Sequence, residues 1–413
     1  MFFRKHSSTI LAALEIGTSK VAAALAESRS DGSMTLLGVG EVPSSGVRKG
    51  EIVDFEDAQK CVQQALHLAE RQTDAEIGEI YLALTGVHIT SRNDSVRASL
   101  VDDERTVSER HIEQLDQMAH HLVIPRDYVM MHSLLQDYFL DNTVSSHDPT
   151  GIMCDQIEGR YHLIYGLKSR LQTAVRCVRE LDVNIAGYAL ASYAMSQAIL
   201  SEEAQQAGSV AIDCGAGVTS YVVYLGGSVV HTGVLGLGGD HATQDLSMGL
   251  RLPYLKAEAL KKEHGTVWLG ACREEETVEL PQDVSFEQRT IYKYSMVQIL
   301  NARQREIFML IAEDIERVGL WPKLGGGVYL TGGGSQIGGL ELLAQSVFPM
   351  PVYLAHEHSF EGDQTYSHRP DLSTLLGLLY FAQQKERKKQ GSLHTFWRLR
   401  QSVAQLFSAM KLF

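Results

Sequence analysis

An apolar run that ends on a carboxylate, turns through glycine and resumes as a strand occurs twice in this chain. The fuller copy is Val210–Gly227, VAIDCGAGVTSYVVYLGG, in which Asp213 precedes Gly215-Ala216-Gly217. The earlier copy is Ile10–Glu27, ILAALEIGTSKVAAALAE, with Glu15 ahead of Gly17. Each reads as a strand, a tight turn whose glycines tolerate positive φ, and a second antiparallel strand. Such a turn aims backbone N–H groups outward and makes a concave anion site. One copy alone is an ordinary hairpin. Two copies, about 200 residues apart, predict related half-domains that face each other over one phosphate chain.

The third glycine-rich stretch, Gly325–Gly339 (GGGVYLTGGGSQIGG), is a buried strand followed by TGGG and a helix from about Leu340. Backbone amides there suit a phosphate or a nucleoside packed against glycine. Between these landmarks the pattern alternates strands with helices. Met34–Val42 and Ile80–Thr85 are strands, and Phe55–Thr73 is an amphipathic helix with Asp54 as N-cap. Gly187–Leu200 and Asp371–Gln384 read as apolar helices buried between the halves. Glu287–Val318 reads as a long helical region interrupted near Asn301.

From Val87 to Leu163 the apolar runs shorten and charges become denser, which marks an inserted subdomain with one clear helix at Ser108–His121. Among its histidines, His88, His111, His120, His121, His132 and His147 show no metal-ligand spacing and are expected to be structural. The five cysteines are scattered, without a CxxC pair, as expected of free thiols in a reducing compartment. No long apolar run precedes the first strand and none approaches a membrane span, so a soluble, cytoplasmic chain is expected.

The net charge of −13 is unevenly spread. From Lys385 onward seven basic residues face one Glu386, so the tail is basic and the body more acidic than the total suggests. An acidic body argues against nucleic acid as a partner. After the linker KERKKQG (Lys385–Gly391), Ser392 can cap a last helix. Phe396, Leu399, Val403, Leu406, Phe407, Met410 and Phe413 share one face of it, with Trp397 at the edge. Apolar bulk on one side and Lys and Arg on the other describe a helix lying in an anionic membrane surface.

Taken together, these stretches resemble the actin-like ATPase superfamily, and within it the FtsA family of bacterial cell division. LEIGTSK (Leu14–Lys20) and DCGAGVTS (Asp213–Ser220) resemble the two phosphate loops, and YLTGGGSQIGGLE (Tyr329–Glu341) the adenosine motif. GGDHATQDLSMGLRLPYLKAEALKKEHG (Gly238–Gly265) is similar to the entry into a fourth subdomain. The resemblance implies an α/β, actin-like (RNase H-like) two-half fold with duplicated mixed sheets, an inserted α+β subdomain 1C and a C-terminal amphipathic helix. It divides the chain into 1A (8–86, 164–205 and 372–384), 1C (87–163), 2A (206–237 and 326–371), 2B (238–325), a basic linker (385–391) and a membrane-targeting helix (392–413).

By the same resemblance ATP is the cofactor, held at Gly17, Thr18, Ser19, Gly215, Ala216 and Gly217, with Lys20 either a phosphate contact or a solvated strand residue. Gly332, Gly333 and Gly334 line the nucleoside, and Glu258, Lys261 and Lys262 lie near the base. Glu15 and Asp213 hold Mg2+ through water, because Mg2+ sheds its hydration reluctantly. The implied partners are the C-terminal peptide of FtsZ at Arg303 and Glu306, further copies of the chain in a filament, an anionic membrane and later division proteins. The implied location is the cytoplasmic face of the cell membrane at the septum. Relatives often carry Asp where Ser220 stands, and hydrolysing relatives place a carboxylate at the start of the first connecting helix, where this chain reads Gly187-Tyr188-Ala189. Slow or absent hydrolysis is therefore expected. The alternative is a small-molecule kinase of the same fold, which has no use for the terminal helix; a shape-determining or pilus-assembly polymer fits the insertion less well.

Overall fold

A computed structural model describes residues 8–100, 105–280, 288–355, 360–362, 366, 368–387 and 389. The first half opens with β1 (Thr9–Ile16), β2 (Lys20–Ser28), β3 (Met34–Pro43) and a short hairpin, β4 (Val47–Arg48) with β5 (Glu51–Ile52). Helix α1 (Phe55–Glu70) and β6 (Glu79–Leu84) follow. The inserted unit comprises β7 (Ile89–Ser99), α2 (Glu109–His120), β8 (Tyr128–Leu140), β9 (Val144–Ser146) and β10 (Gln156–Leu167). The chain returns through α3 (Lys168–Arg179), β11 (Asn184–Leu190), α4 (Ala191–Ile199) and α5 (Glu202–Ala207).

The second half repeats the plan with β12 (Ser209–Cys214), β13 (Thr219–Leu225) and β14 (Ser228–Leu235). A helical unit follows, with α6 (Gly239–Leu250), α7 (Tyr254–His264), the hairpin β15 (Thr277–Leu280) and β16 (Arg289–Tyr292), and α8 (Lys293–Arg317). Then come β17 (Gly327–Thr331), α9 (Leu340–Gln345), β18 (Val352–Leu354), β19 (Glu361–Gly362) and α10 (373–387).

The duplication is visible in strand order. The first sheet runs β11-β6-β1-β2-β3-β19 and the second β18-β17-β12-β13-β14. In both, the first hairpin and its third strand are antiparallel, and two parallel strands extend the other side. Glu15 pairs with Ala22 and Asp213 with Ser220, each one residue before the end of its strand's ladder. The two carboxylates therefore occupy equivalent places.

Both faces of the first sheet are buried, which explains its unbroken apolar runs. Leu14, Val21, Ala23 and Leu25 pack under α1 and α3, while Leu11, Ala13, Ala22 and Ala24 pack under α10. Asp54 caps α1 as expected, accepting from the Asp57 amide at 3.2 Å.

Three expectations about helices fail: the long helical region begins at Lys293 and not at Glu287, because Arg289–Tyr292 pair with β15 as a strand. Gly187–Leu200 is not one helix: its first four residues complete β11, and α4 begins only at Ala191. Parallel pairing with β6 (Tyr188↔Leu82, Leu190↔Leu84) overrides a sequence that carries no helix-start signal. Nor is α8 interrupted near Asn301; it runs 25 residues, and Asn301 Nδ2 donates to the Val267 carbonyl at 2.7 Å. A polar side chain that looked like a break is a tether to the preceding loop.

The two connecting helices, α4 and α10, meet backbone to backbone. A Cβ on Gly377 would lie 2.0 Å from the Ala194 carbonyl oxygen. Replacing Gly377 with Ala is therefore expected to force the helices apart and cost about 2 kcal/mol or more. A lower unfolding midpoint in urea, with the slope retained, is the result that checks it.

Candidate functional site

The two hairpin turns are closed in the same way. The Gly17 amide donates to the Lys20 carbonyl at 3.0 Å, and the Gly215 amide to the Val218 carbonyl at 3.1 Å. The expected positive φ is absent at Gly17, Gly215 and Gly217. Glycine is required there by crowding instead. A Cβ would lie 2.8 Å from the Lys20 oxygen at Gly17, and 2.6 Å from the Val218 oxygen at Gly215. At Gly217 it would lie 2.5 Å from Thr18 Oγ1, so the two turns nearly touch. The tip of the β4–β5 hairpin braces that junction, with the Gly50 amide donating to Thr18 Oγ1 at 3.0 Å.

Between the turns stand the two carboxylates. Burial, and then the Asp213 charge, push Glu15 up to about 8. Burial pushes Asp213 up to about 6, against a long hydrogen bond from Thr374 Oγ1 at 3.4 Å. Glu15 Oε2 is buried and has no hydrogen-bond partner among the described residues. An orphaned carboxylate oxygen facing a second desolvated carboxylate is an oxygen donor set that suits a hydrated Mg2+. Glu15 and Asp213 would hold it.

Lys20 sits beside this pair, held between Glu41 Oε2 at 2.7 Å and Asp371 Oδ2 at 2.5 Å. Arg369 grips both of those acids, with Glu41 at 2.6 and 2.8 Å. Burial raises Asp371, but Arg369 and Lys20 outweigh it and draw the carboxyl down to about 2. The network ties β2 and β3 to the chain leading into α10.

The third glycine stretch closes the other end. Gly332 takes φ +86 and donates its amide to the Pro370 carbonyl at 3.0 Å. Opposite it, on α7, Lys261 Nζ reaches Glu258 at 2.6 Å, Thr243 Oγ1 at 2.7 Å and the Gly239 carbonyl at 2.9 Å. Lys262 lies 3.4 Å from Glu258. Burial raises Glu258, and its bonds from Lys261 and Thr243 outweigh it, leaving the carboxyl below the usual range.

The residues expected from the sequence to bind nucleotide and metal all line one cleft of about 590 Å3: Glu15, Gly17, Thr18, Ser19, Lys20, Asp213, Gly215, Ala216, Gly217, Glu258, Lys261, Lys262 and Gly332–Gly334. The cleft has the size and the polar, convergent lining of a small-molecule site. The sequence reading did not single out Thr85, Asp240, Gln304, Asp371 and Thr374 for it, which also line it. Of these only Asp240, behind Gly238-Gly239, carried a local signal; the others are brought in by tertiary packing.

The first connecting helix presents Ala191 to the cleft, not Gly187–Ala189, and no acid stands at that start either. Ser220 Oγ, opposite Asp213, is buried and unpartnered among the described residues. Outside the cleft, Arg303 on α8 is engaged by Asp245 at 2.6 and 3.1 Å and by Glu306. Glu306 is half exposed. Phe396, Trp397, Leu399, Val403, Leu406, Phe407, Met410 and Phe413 lie outside the described residues.

Residues 210–377 match the family described as cell division protein FtsA, and residues 86–165 the SHS2 domain inserted in FtsA. The chain is 30% identical over 381 residues to the cell division protein FtsA of Pseudomonas aeruginosa, covering 92% of this chain and 91% of that one. It is 30% identical over 401 residues to the protein of the same name from Escherichia coli, covering 95% and 94%. Among solved structures, a PilM–PilN type IV pilus biogenesis complex matches with TM-score 0.62 at 17% identity, covering 89% of this chain and 97% of that one. MreB5 of Spiroplasma citri bound to ADP matches with TM-score 0.55 at 13% identity, covering 92% and 98%. These neighbours show the actin-like fold.

Proposed function

The chain belongs to the FtsA family of cell-division proteins, and on that premise we propose that it is an ATP-responsive scaffold that tethers the FtsZ ring to the membrane. The observation that carries the nucleotide part is the single cleft in which both glycine turns, Glu15 with Asp213, and Gly332–Gly334 converge. ATP with Mg2+ bridges the two halves there and favours a closed, filament-competent conformation by population shift. A structural neighbour was solved with ADP bound, which supports the same use of this cleft. Missing acids at Ala191 and Ser220 support a nucleotide that is sensed and turned over slowly.

The tether is the terminal stretch 392–413 acting with the basic linker. Among the described residues no helix is long and apolar enough to cross a membrane; on this reading attachment is peripheral, through the amphipathic stretch alone. It lies at the cytoplasmic face of the septal membrane. On α8, Arg303 receives the acidic FtsZ peptide by exchanging its Asp245 contact for a peptide carboxylate. Later division proteins then assemble on the filament.

Liposome co-sedimentation tests the tether. The comparison chain ends at Gln390, because Glu386 accepts from the Tyr81 hydroxyl at 2.7 Å and α10 must stay intact. With anionic vesicles the full chain is expected in the pellet and the shortened one in the supernatant, with and without ATP. Equal pelleting would overturn the tether. For the nucleotide part, calorimetry with Mg-ATP on the full chain should show one site per chain, lost in Asp213→Asn.

A further inference from the structure

The first strand starts where the last helix of the fold ends. At the end of the first sheet away from the cleft, Thr9 at the start of β1 pairs with Ser28 at the end of β2. Gln383 on α10 donates to Ser28 Oγ at 2.9 Å and to the Gly32 carbonyl at 3.3 Å. One turn further along α10, Arg387 reaches the same β2–β3 turn: a Cβ on Gly32 would lie 2.9 Å from its Nη2. The chain therefore enters the first half and leaves it at one corner. The stretch 392–413 departs from that corner, a few residues beyond Arg387.

Ahead of β1 the sequence reads MFFRKHS, residues 1–7, which lie outside the described residues. It sets Phe2 and Phe3 beside Arg4 and Lys5 and contains no acid. Apolar bulk next to cations is the composition of the terminal stretch in miniature. Six residues span about 20 Å when extended, so this segment and the terminal one share the same surroundings. Those surroundings are apolar and basic. Ile10, at the start of β1, is 52% exposed. Lys385, Arg387 and Lys389 are exposed, and Arg29 stands on the β2–β3 turn. The acids among them are engaged locally: Glu27 by Arg29 at 3.4 Å, Asp31 by the Ser33 amide at 2.9 Å and Glu386 by Lys389 at 2.7 Å.

We propose that the stretch ahead of β1 is a second membrane contact, seated on the same anionic leaflet as the terminal helix. The inference rests on the membrane reading of 392–413. Phe2 and Phe3 enter the headgroup region, and Arg4 and Lys5 stay with the lipid phosphates. Alone, two rings and two charges hold a protein too weakly, since stable anchoring takes two signals. Beside the terminal helix their binding becomes intramolecular, and the two contacts multiply. Two contacts leaving one corner also point that end of the first sheet at the membrane and the cleft away from it. A single flexible linker sets no such orientation.

The test measures partition of full-length chains onto vesicles of phosphatidylglycerol and phosphatidylcholine, by co-sedimentation over a range of lipid concentration. Arg4→Gln with Lys5→Gln is expected to bind about 10- to 30-fold more weakly than the parent, from about fivefold per charge near an anionic leaflet. Phe2→Ser with Phe3→Ser is expected to lose about 10-fold. Both variants should keep the parent's melting temperature without vesicles. Either variant binding as tightly as the parent removes the second contact and leaves the terminal helix as the sole tether. A Phe2→Ser, Phe3→Ser chain that melts several degrees lower without vesicles seats the pair on the protein body and sinks the proposal. A parent that stays in the supernatant overturns the membrane reading, and this inference with it.

Discussion

Gly332→Ala is expected to weaken nucleotide binding about 100-fold, whereas the same change one residue later is tolerated. Gly332 takes φ +86 with ψ 166, a region essentially confined to glycine that costs an L-residue about 1–3 kcal/mol. The new methyl would also lie 2.2 Å from Asp213 Oδ1 and 2.8 Å from the Cys214 amide nitrogen and carbonyl oxygen. Asp213 cannot yield easily, since it is fixed in the ladder between Ser220 and Thr331. Either its carboxylate turns away from the cation position or β17 parts from β12. Overpacking of this kind costs about 1–3 kcal/mol beyond the backbone strain. Directed at the cation position, that is an affinity loss of about 100-fold. At Gly333 a Cβ would meet only Asp371 Cβ at 3.6 Å, an ordinary contact, and φ is not positive. Isothermal titration of both variants with Mg-ATP separates the cases. Comparable affinities for the two would remove Gly332 from the cation site.

The contrast shows which parts of the site were legible in the sequence. Glu15 and Asp213 were, because a carboxylate at the end of an unbroken apolar run is costly unless the fold uses it, and here it is written twice. The glycines were legible as a need for small residues, but the reason was misread at the two turns. Neither crowding by a backbone oxygen nor the approach of Thr18 to Gly217 from the other half leaves a mark in local sequence. Thr374 and Gln304 reach the cleft only because α10 and α8 cross it. The failure at β11 has the same origin. Gly187–Leu190 has no polar residue to mark a face, and pairing with β6 decided between strand and helix. Asn301 was misread for the opposite reason: its polarity was visible, but its partner, the Val267 carbonyl, was not.

Without Mg2+ and nucleotide, the folded protein is expected to lose stability as the pH rises from about 6.5 to 8, because at lower pH the buried His132 and His162, both held down to about 3, offset the carboxyls. The cause is the pair of buried carboxyls. Glu15 is raised from 4.5 to about 8, and Asp213 from 3.8 to about 6. Below the lower values both states hold the protons and the groups contribute nothing to the balance. Between each pair of values the unfolded chain has released a proton that the folded chain retains, so the unfolded state binds fewer and the carboxyls make stability fall with pH. Each pKa unit is worth about 1.4 kcal/mol, which sets a ceiling of several kcal/mol that water entry into the cleft reduces. The Asp213 part ends near pH 6, within the range that the histidines offset, and the Glu15 part continues to about 8. A cation held between the two carboxylates replaces those protons. Mg-ATP should therefore stabilise the protein more at pH 8 than at pH 6. Thermal melts in EDTA against Mg-ATP, run on the parent and on Glu15→Gln, check both halves of this expectation. Glu15→Gln should flatten the limb between pH 6.5 and 8, since the amide has no proton to lose. A parent whose melting temperature is constant across that window in EDTA would mean that the two carboxyls are not desolvated as a pair, and the metal assignment of Glu15 and Asp213 would fall with it.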